Sequence, residues 1–426
     1  MAIPIPKGVF DLLPDPPEKE AWKGSAIWQQ VERAIREQAR LYGYREIRTP
    51  VFERTELFAR GVGAGTDIVS KEMYTFEDKG GRSMSLRPEG TAPVIRSFLE
   101  NHLEQRPELQ KLYYLAPMFR YERQQAGRYR QHHQFGVEVI GGEAPELDAE
   151  IIDLLLGLYQ KLGLKGLTLH LSSLGDSLDR IPFRKALVAH FTPHKGELSA
   201  DSQERLQKNP LRILDSKAHE DQALIKAAPS MLEFLSPAAA RHFEAVQQTL
   251  KALGIPFEVN RRLVRGLDYY NRTVFEITAS ELGAQNSIGG GGRYDGLLKT
   301  LGGPDLPAIG FGAGVERLIQ TLLAQQVPLE PPPHPTLLLI PVAGENQRDC
   351  FLLASKWRRE GVATDVELSG KRVKGGLRVA EALKIPYVVV IGDEELKSGR
   401  CVLKQMETRT ERELPFNQLT QAIRDV

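Results

Sequence analysis

The chain has 426 residues, 41% hydrophobic and 26% charged, with a formal net charge of +1. That length exceeds one ordinary core, so two or three domains are expected, and near-neutrality means that a nucleic-acid partner would be met by local basic patches rather than by a global field. The two cysteines, Cys350 and Cys401, stand far apart with no CxxC or Cys/His cluster, which excludes a zinc module and a disulfide framework and fits a reducing, cytoplasmic setting; no apolar run is long enough to span a bilayer, and MAIPIPKGVFDLLP does not read as a signal peptide.

After the proline-rich lead-in, Ile27, Val31 and Ile35 recur at four-residue steps, which predicts an amphipathic helix over Trp22–Leu41. Gly43 ends it, and Tyr44–Arg48 reads as a strand halted by Thr49-Pro50. Gly61–Gly65 reads as a glycine-rich loop, followed by a hairpin of Met73–Phe76 and Ser83–Arg87. The second strand runs into Arg87-Pro88-Glu89-Gly90-Thr91, with a helix expected from Ala92. Glu89 at that corner can face a cleft and bind an ammonium group, or it can be an acid favoured by the helix dipole. The spacing leaves both open.

A long hairpin comes next. Tyr113 to Arg120 and Gln134 to Ile140 read as its strands, with a polar loop whose only glycine is Gly127. Arg120, Arg123, Arg128 and Arg130 stand there against one acid, Glu122. Four guanidiniums repel one another unless an anion sits among them, and the planar fork of arginine suits phosphate. The hairpin therefore reads as a polyphosphate binder, with a solvated basic surface as the plainer alternative.

Glu146–Leu162 is expected to be a helix and Leu167–Ser172 a strand, after which 175–255 turns helical and charged, as an all-α insertion would. Strand pattern resumes at Phe257–Val259, again over Leu263–Tyr270, and at Thr273–Ile277. Arg265 among those apolar and tyrosine residues must face a ligand or pair with Asp268 or Glu276. Gly289–Gly292, ahead of Tyr294, is no phosphate-gripping loop, since no Gly-Lys-Ser/Thr follows. Glycines in a strand instead permit close approach of a ligand or another strand. Pro307–Ala313 reads as a strand and Gly314–Gln325 as a helix, with Arg317 near its start, where it can reach a phosphate.

The proline-rich 327–335 reads as a linker, and 336–426 alternates strand and helix as a small α/β domain. Lys356, Arg358, Arg359, Lys371, Arg372, Lys374 and Arg378 make a basic stretch there, fit for an RNA backbone or simply a solvated face.

Taken together, FRYERxQxGRYRQxxQ from Phe119, LVRGLDYYNRTVFEI from Leu263, GGGGRYDGL and GFGAGVERL resemble the histidine–tRNA ligases, a branch of the class II aminoacyl-tRNA synthetases. The resemblance runs nearly the whole chain from Lys7. It implies an α+β protein: a class II antiparallel β-sheet catalytic domain over 1–326, interrupted by the helical insertion at 175–255, then the linker and an anticodon-binding domain. By the same resemblance Arg120 and Arg265 would flank the α-phosphate of ATP, and Arg128 and Arg317 would hold its outer phosphates, with Glu122 near the adenine. Glu89, Gly90, Thr91, Gln134, Glu138, Tyr269, Tyr270 and Tyr294 would form the histidine pocket, Glu138 and Tyr270 addressing the imidazole. Arg120 and Arg265 would also reach the histidine carboxylate end. ATP with Mg²⁺, L-histidine and tRNA(His) are implied, and the early helix and strand resemble a homodimer element. Gln124 and Ala126 depart from the residues usual in the hairpin loop. A non-catalytic, histidine-sensing regulatory relative is the competing function; such a protein would be expected to lack the C-terminal domain and several of the arginines.

Overall fold

The computed structural model describes residues 3–63, 66–122, 128–281 and 286–425. The expectations for Ala64, Gly65, Arg123, Gln124, Ala126 and Gly127 lie outside the described residues. The chain divides into two compact units, Met1–Glu330 and Pro331–Val426, with the division inside the proline-rich segment.

In the first unit, helix α1 (Ser25–Leu41) buries Ile27, Val31 and Ile35 along one stripe, and Gly43, at φ +78°, turns the chain out of it. Strand β1 (Arg45–Glu46) is shorter than its pattern suggested. It is followed by β2 (Phe52–Arg54), α2 (Thr55–Phe58), β3 (Thr75–Glu77), β4 (Ser83–Leu86) and α3 (Thr91–Glu100). The expected glycine loop is in part a wide helical turn over Ala59–Gly63 that continues α2 and buries Gly61 and Val62. The long hairpin is β5 (Gln110–Phe119) and β6 (Gln131–Ile140), paired from Gln110↔Ile140 to Phe119↔Gln131. Then come α4 (Pro145–Lys161), β7 (Leu167–Ser173), the helices α5 (Arg180–Phe191), α6 (Ala200–Lys208), α7 (His219–Ala227) and α8 (Pro237–Ala252), and β8 (Glu258–Val259). Strands β9 (Asn271–Ala279) and β10 (Ser287–Arg293), α9 (Leu297–Thr300), β11 (Ala308–Gly314) and α10 (Val315–Ala324) complete the unit.

Among the described residues the main sheet has eight strands in the order β1-β5-β6-β11-β10-β9-β7-β8, antiparallel inside and parallel only at its two edge pairs. The strands β2, β4 and β3 form a separate three-stranded sheet. One face of the main sheet is apolar, with Phe135, Val137, Val139, Phe275, Ile277, Ile309 and Phe311 buried against α1, α4, α8 and α10. Their alternation along each strand points every second residue into that core and leaves the intervening ones on the opposite face.

Two expectations need correction. Leu263–Tyr270 is not a strand: its residues are turns, bends and irregular backbone. Its side chains part company instead of alternating on one face, Leu263 entering the core while Asp268 meets Arg212. The helical segment also divides. Phe183, Leu187, Phe191, Leu206, Ile213 and Met231 form their own core, but α8 buries Phe243, Val246 and Leu250 in the main one. Ser236, whose hydroxyl accepts from the Ala239 amide with Pro237 at the first helical position, starts α8 afresh.

The second unit is a five-stranded sheet, β13-β12-β14-β15-β16, formed by β12 (Leu337–Pro341), β13 (Thr364–Val366), β14 (Tyr387–Ile391), β15 (Arg400–Gln405) and β16 (Glu411–Pro415). The helices α11 (Gln347–Arg359), α12 (Val373–Ala382), α13 (Asp393–Ser398) and α14 (Leu419–Arg424) accompany it. Trp357, Cys350 and Cys401 sit in its main core, and both cysteines are free thiols. Among the described residues no helix is long and apolar enough to cross a membrane.

Candidate active site

The face of the main sheet turned away from the apolar core is floored by glycine. The pairing aligns Tyr114, Gly136, Gly312, Gly290 and Glu276 in one row across five strands, and Glu138, Gly310, Gly292 and Val274 in the next. The glycines leave room for side chains lying flat. A methyl group at Gly90 or Gly136 would overlap the Tyr114 ring, one at Gly310 the Glu138 carboxylate, and one at Gly312 the Gln134 amide. At Gly290 it would come within 2.8 Å of the Arg265 guanidinium.

One end of this floor is closed. Glu138 is fully buried and accepts hydrogen bonds from the Thr91 hydroxyl at 2.8 Å and from the Tyr294 hydroxyl. Burial pushes its carboxyl up to about 8, although those hydrogen bonds pull the other way. The Tyr294 ring meets Tyr269 at 5.6 Å, and Tyr269 meets Tyr270 at 4.7 Å, which makes an aromatic wall. Burial raises all three phenols. The Gln134 side-chain oxygen is buried and has no hydrogen-bond partner among the described residues, so it is placed to accept from a bound molecule.

Glu89 is 2% exposed, and its two oxygens accept from the backbone of Thr91 at 2.7 Å and of Ala92 at 2.9 Å. The carboxylate therefore caps α3, with Gly90 at the helix start against Tyr114. Each oxygen keeps a second lone pair that an ammonium group could use, so the cap and the ligand readings of Glu89 are compatible in this geometry, and burial raises its carboxyl.

The other end is an open cavity of about 1780 Å³, lined among others by Arg120, Glu122, Arg128, Arg265, Tyr270 and Arg317. Arg120 donates from Nε to the Pro88 carbonyl at 2.8 Å, which leaves its terminal nitrogens 3.9 Å from Glu122 at the nearest. Arg128 lies 3.3 Å from the same carboxylate. Arg317, one turn inside α10, donates to the Ser287 carbonyl at 2.7 Å, and its guanidinium is depressed first by burial and then by Arg128. Arg265 pairs with Glu276 at 3.2 Å and not with Asp268, lies 5.9 Å over the Tyr270 ring, and keeps a buried Nε that has no hydrogen-bond partner among the described residues. Burial, with Arg120, His133 and Arg317 next, holds the His132 imidazole down at about 3, hence neutral. Three arginines around one shared carboxylate leave surplus positive charge, which a polyphosphate neutralises.

All four arginines and Glu122 thus share one cavity with Tyr270, while Glu138, Thr91, Tyr269 and Tyr294 are tied into the closed end beside it. Tyr114, His132 and Glu316 were missed as site residues, while Glu276 was named only as a possible partner of Arg265 and the glycines of GFGAG only as part of a motif. The alternation Gly310, Gly312, Gly314 was the available signal, since glycine at every second position strips one strand face bare. Among the described residues no group of three or more carboxylate, histidine or cysteine side chains could hold a metal ion.

Comparison with known proteins shows the family. The histidyl-tRNA synthetase family model matches residues 8–318, and an anticodon-binding-domain model matches 336–426. A histidine–tRNA ligase of Protochlamydia amoebophila is 56% identical over 425 residues, 100% of both chains. One from Bacillus velezensis is 47% identical over 428 residues, covering 100% of this chain and 99% of its own. The crystal structure of the apo histidyl-tRNA synthetase of S. aureus superposes with a TM-score of 0.83 at 37% identity, covering 99% of this chain and all of that one.

Proposed function

The chain belongs to the histidyl-tRNA synthetase family and charges tRNA with histidine, and from that premise we propose how its residues do so. Histidine occupies the closed end, its imidazole between Glu138 and Tyr270, with Thr91, Gln134, Tyr269 and Tyr294 completing the walls. Glu89 and Gly90 border that pocket at the start of α3, Glu89 offering its carboxylate to the histidine ammonium. ATP lies in the cavity, its α-phosphate between Arg120 and Arg265, its outer phosphates on Arg128 and Arg317, and its adenine beside Glu122.

The histidine carboxylate attacks the α-phosphorus, forming histidyl-adenylate and releasing pyrophosphate. Transfer to tRNA then releases AMP. Negative charge grows on the α-phosphate oxygens in the first step, and preorganised guanidiniums stabilise it without reorganising. No protein nucleophile is needed. Magnesium would suit this site as a passenger on ATP, because among the described residues no cluster of carboxylate, histidine or cysteine side chains stands ready to hold an ion and Glu122 and Glu276 are engaged by arginines. When bound it supplies further neutralisation of the departing pyrophosphate.

The C-terminal unit, matched by the anticodon-binding model, engages tRNA(His). We further propose a cytoplasmic homodimer with an isologous interface built on α1 and the strand before Thr49-Pro50. Light scattering at micromolar concentration checks it, a monomer being the adverse result. The regulatory alternative is not favoured, since full-length relatives are ligases and the four arginines are in place.

One observation carries the residue assignment: Arg120, Arg128, Arg265 and Arg317 converge on one cavity whose tyrosine wall leads to a buried carboxylate. ATP–pyrophosphate exchange tested with each amino acid is the experiment. Exchange with histidine alone is expected, and no exchange with any amino acid would overturn the reading.

A further inference from the structure

The neck of the hairpin that carries Arg120 and Arg128 is fastened to a segment far away in sequence. The Arg130 amide donates to the Gly8 carbonyl at 2.7 Å, and the Arg120 amide in turn donates to the Arg130 carbonyl at 2.9 Å. Gly8 is buried with φ +88°, and a methyl group there would lie 2.8 Å from the Arg130 side chain. The backbone of Arg120 is therefore held through Arg130 by a position that only glycine fills without strain.

Side chains continue the fastening. Phe10 meets Tyr129 edge-on at 5.0 Å and Trp22 at 4.6 Å, while Trp22 stacks on Tyr129 at 5.0 Å. Gln320 of α10, three residues after Arg317, donates to the Tyr129 hydroxyl at 3.0 Å. On the other side the Arg130 guanidinium lies 3.9 Å over Tyr121, whose amide donates to the Glu72 carbonyl at 2.7 Å. Tyr129 and Arg130 thus stand between the N-terminal segment, α10 and the residues flanking Arg120.

We propose that residues 7–10, through Gly8 and Phe10, are a positioning element for the phosphate end of the site: they set Arg120 and Arg128 against ATP without touching it. The inference rests on the ATP reading of those arginines. Lost positioning of a charge clamp lowers affinity and rate for the ligand it clamps, and leaves an independently built pocket alone.

The test measures both KM values in pyrophosphate exchange. Phe10→Ala is expected to raise the KM for ATP by about tenfold while the KM for histidine stays within about twofold, and Phe10→Tyr, which keeps the ring, restores it. Phe10→Leu is read in the same way should Phe10→Ala not fold. Arg128→Ala is the control. If it raises the KM for ATP and the Phe10 variants do not, the positioning role is overturned. If Arg128→Ala leaves that KM unchanged, the ATP assignment of the hairpin falls, and this inference with it. Equal changes in both KM values, tracking a lowered melting temperature, would mean a merely structural segment and would also overturn it.

Discussion

The two ends of the site are built on opposite plans. At the closed end every oxygen of Glu138 and Glu89 is already hydrogen-bonded by the protein, and the surrounding tyrosines exclude water. At the open end the arginines reach their carboxylates at 3.2–3.9 Å and crowd one another. A pocket for a small, nearly neutral side chain gains selectivity by being rigid before the ligand arrives, and a wrong ligand would leave the buried Gln134 oxygen, which has no partner among the described residues, still unpaired. A clamp for a polyanion is better left unsatisfied, since its charge is then matched only by the reacting phosphates.

The contrast breaks most sharply at Arg265, which belongs to the open end but leans on the tyrosine wall. Arg265→Ala is expected to slow single-turnover adenylate formation by on the order of 10²–10³, or about 3–4 kcal/mol, with the histidine dissociation constant changed less. Arg265→Lys recovers part, since a point charge lacks the planar fork. Glu276 supplies a structural alternative, for the pair at 3.2 Å is real. If pairing were all, the variant would lose melting temperature and keep near-normal turnover, and that outcome removes Arg265 from the chemistry.

A smaller and more local pair of changes sharpens the same contrast in the glycine floor. Gly310→Ala drives a methyl group into the Glu138 carboxylate and the Val137 carbonyl, neither of which can withdraw far. Overpacking of that kind costs about 1–3 kcal/mol, so the KM for histidine should rise roughly tenfold or more while that for ATP barely moves. Gly290→Ala meets the Arg265 guanidinium and the Phe275 carbonyl instead. It should lower kcat more than it alters the KM for histidine. Identical effects of the two substitutions would mean that the ends are not separable.

The open end was legible in the sequence because charge is. Arg120, Arg128, Arg265 and Arg317 stand in stretches too apolar or too basic to leave them unexplained, and the hairpin pattern put two of them together. The closed end was legible only as types and resemblance. Tyr294 and Glu138 are 156 residues apart, and nothing local says that one hydroxyl finds the other carboxylate. The same limit hid the Tyr114 ring between Gly90 and Gly136, and the tie from Glu316 to the His133 amide and imidazole. Leu263–Tyr270 misled for the reverse reason: β-branched and aromatic residues promise a strand, whereas here they serve a bend whose side chains leave in different directions. Helix α8 read as part of the insertion because its charge matched, and only burial assigns it to the main core.

The smallest expected effect tests how finished the closed end is. Burial holds the Glu138 carboxyl at about 8, so in the empty protein it is mostly protonated at pH 7. Its folded value lies above the ordinary 4.5, so the stability it contributes is full below about pH 4.5 and is lost as pH rises through 8. Melting of the empty protein should therefore decline, by this group, between pH 7 and 8.5. A neutral imidazole N–H prefers the carboxylate, so histidine binds the deprotonated pocket better, and its KM should fall by roughly tenfold across the same window. The two trends run in opposite directions, which general alkaline damage cannot imitate. Glu138→Gln removes the titrating group and should flatten both, with Thr91 and Tyr294 still able to bond the amide. A histidine KM that stays flat in the parent protein, or falls identically in Glu138→Gln, would show that the imidazole is not read by this carboxyl.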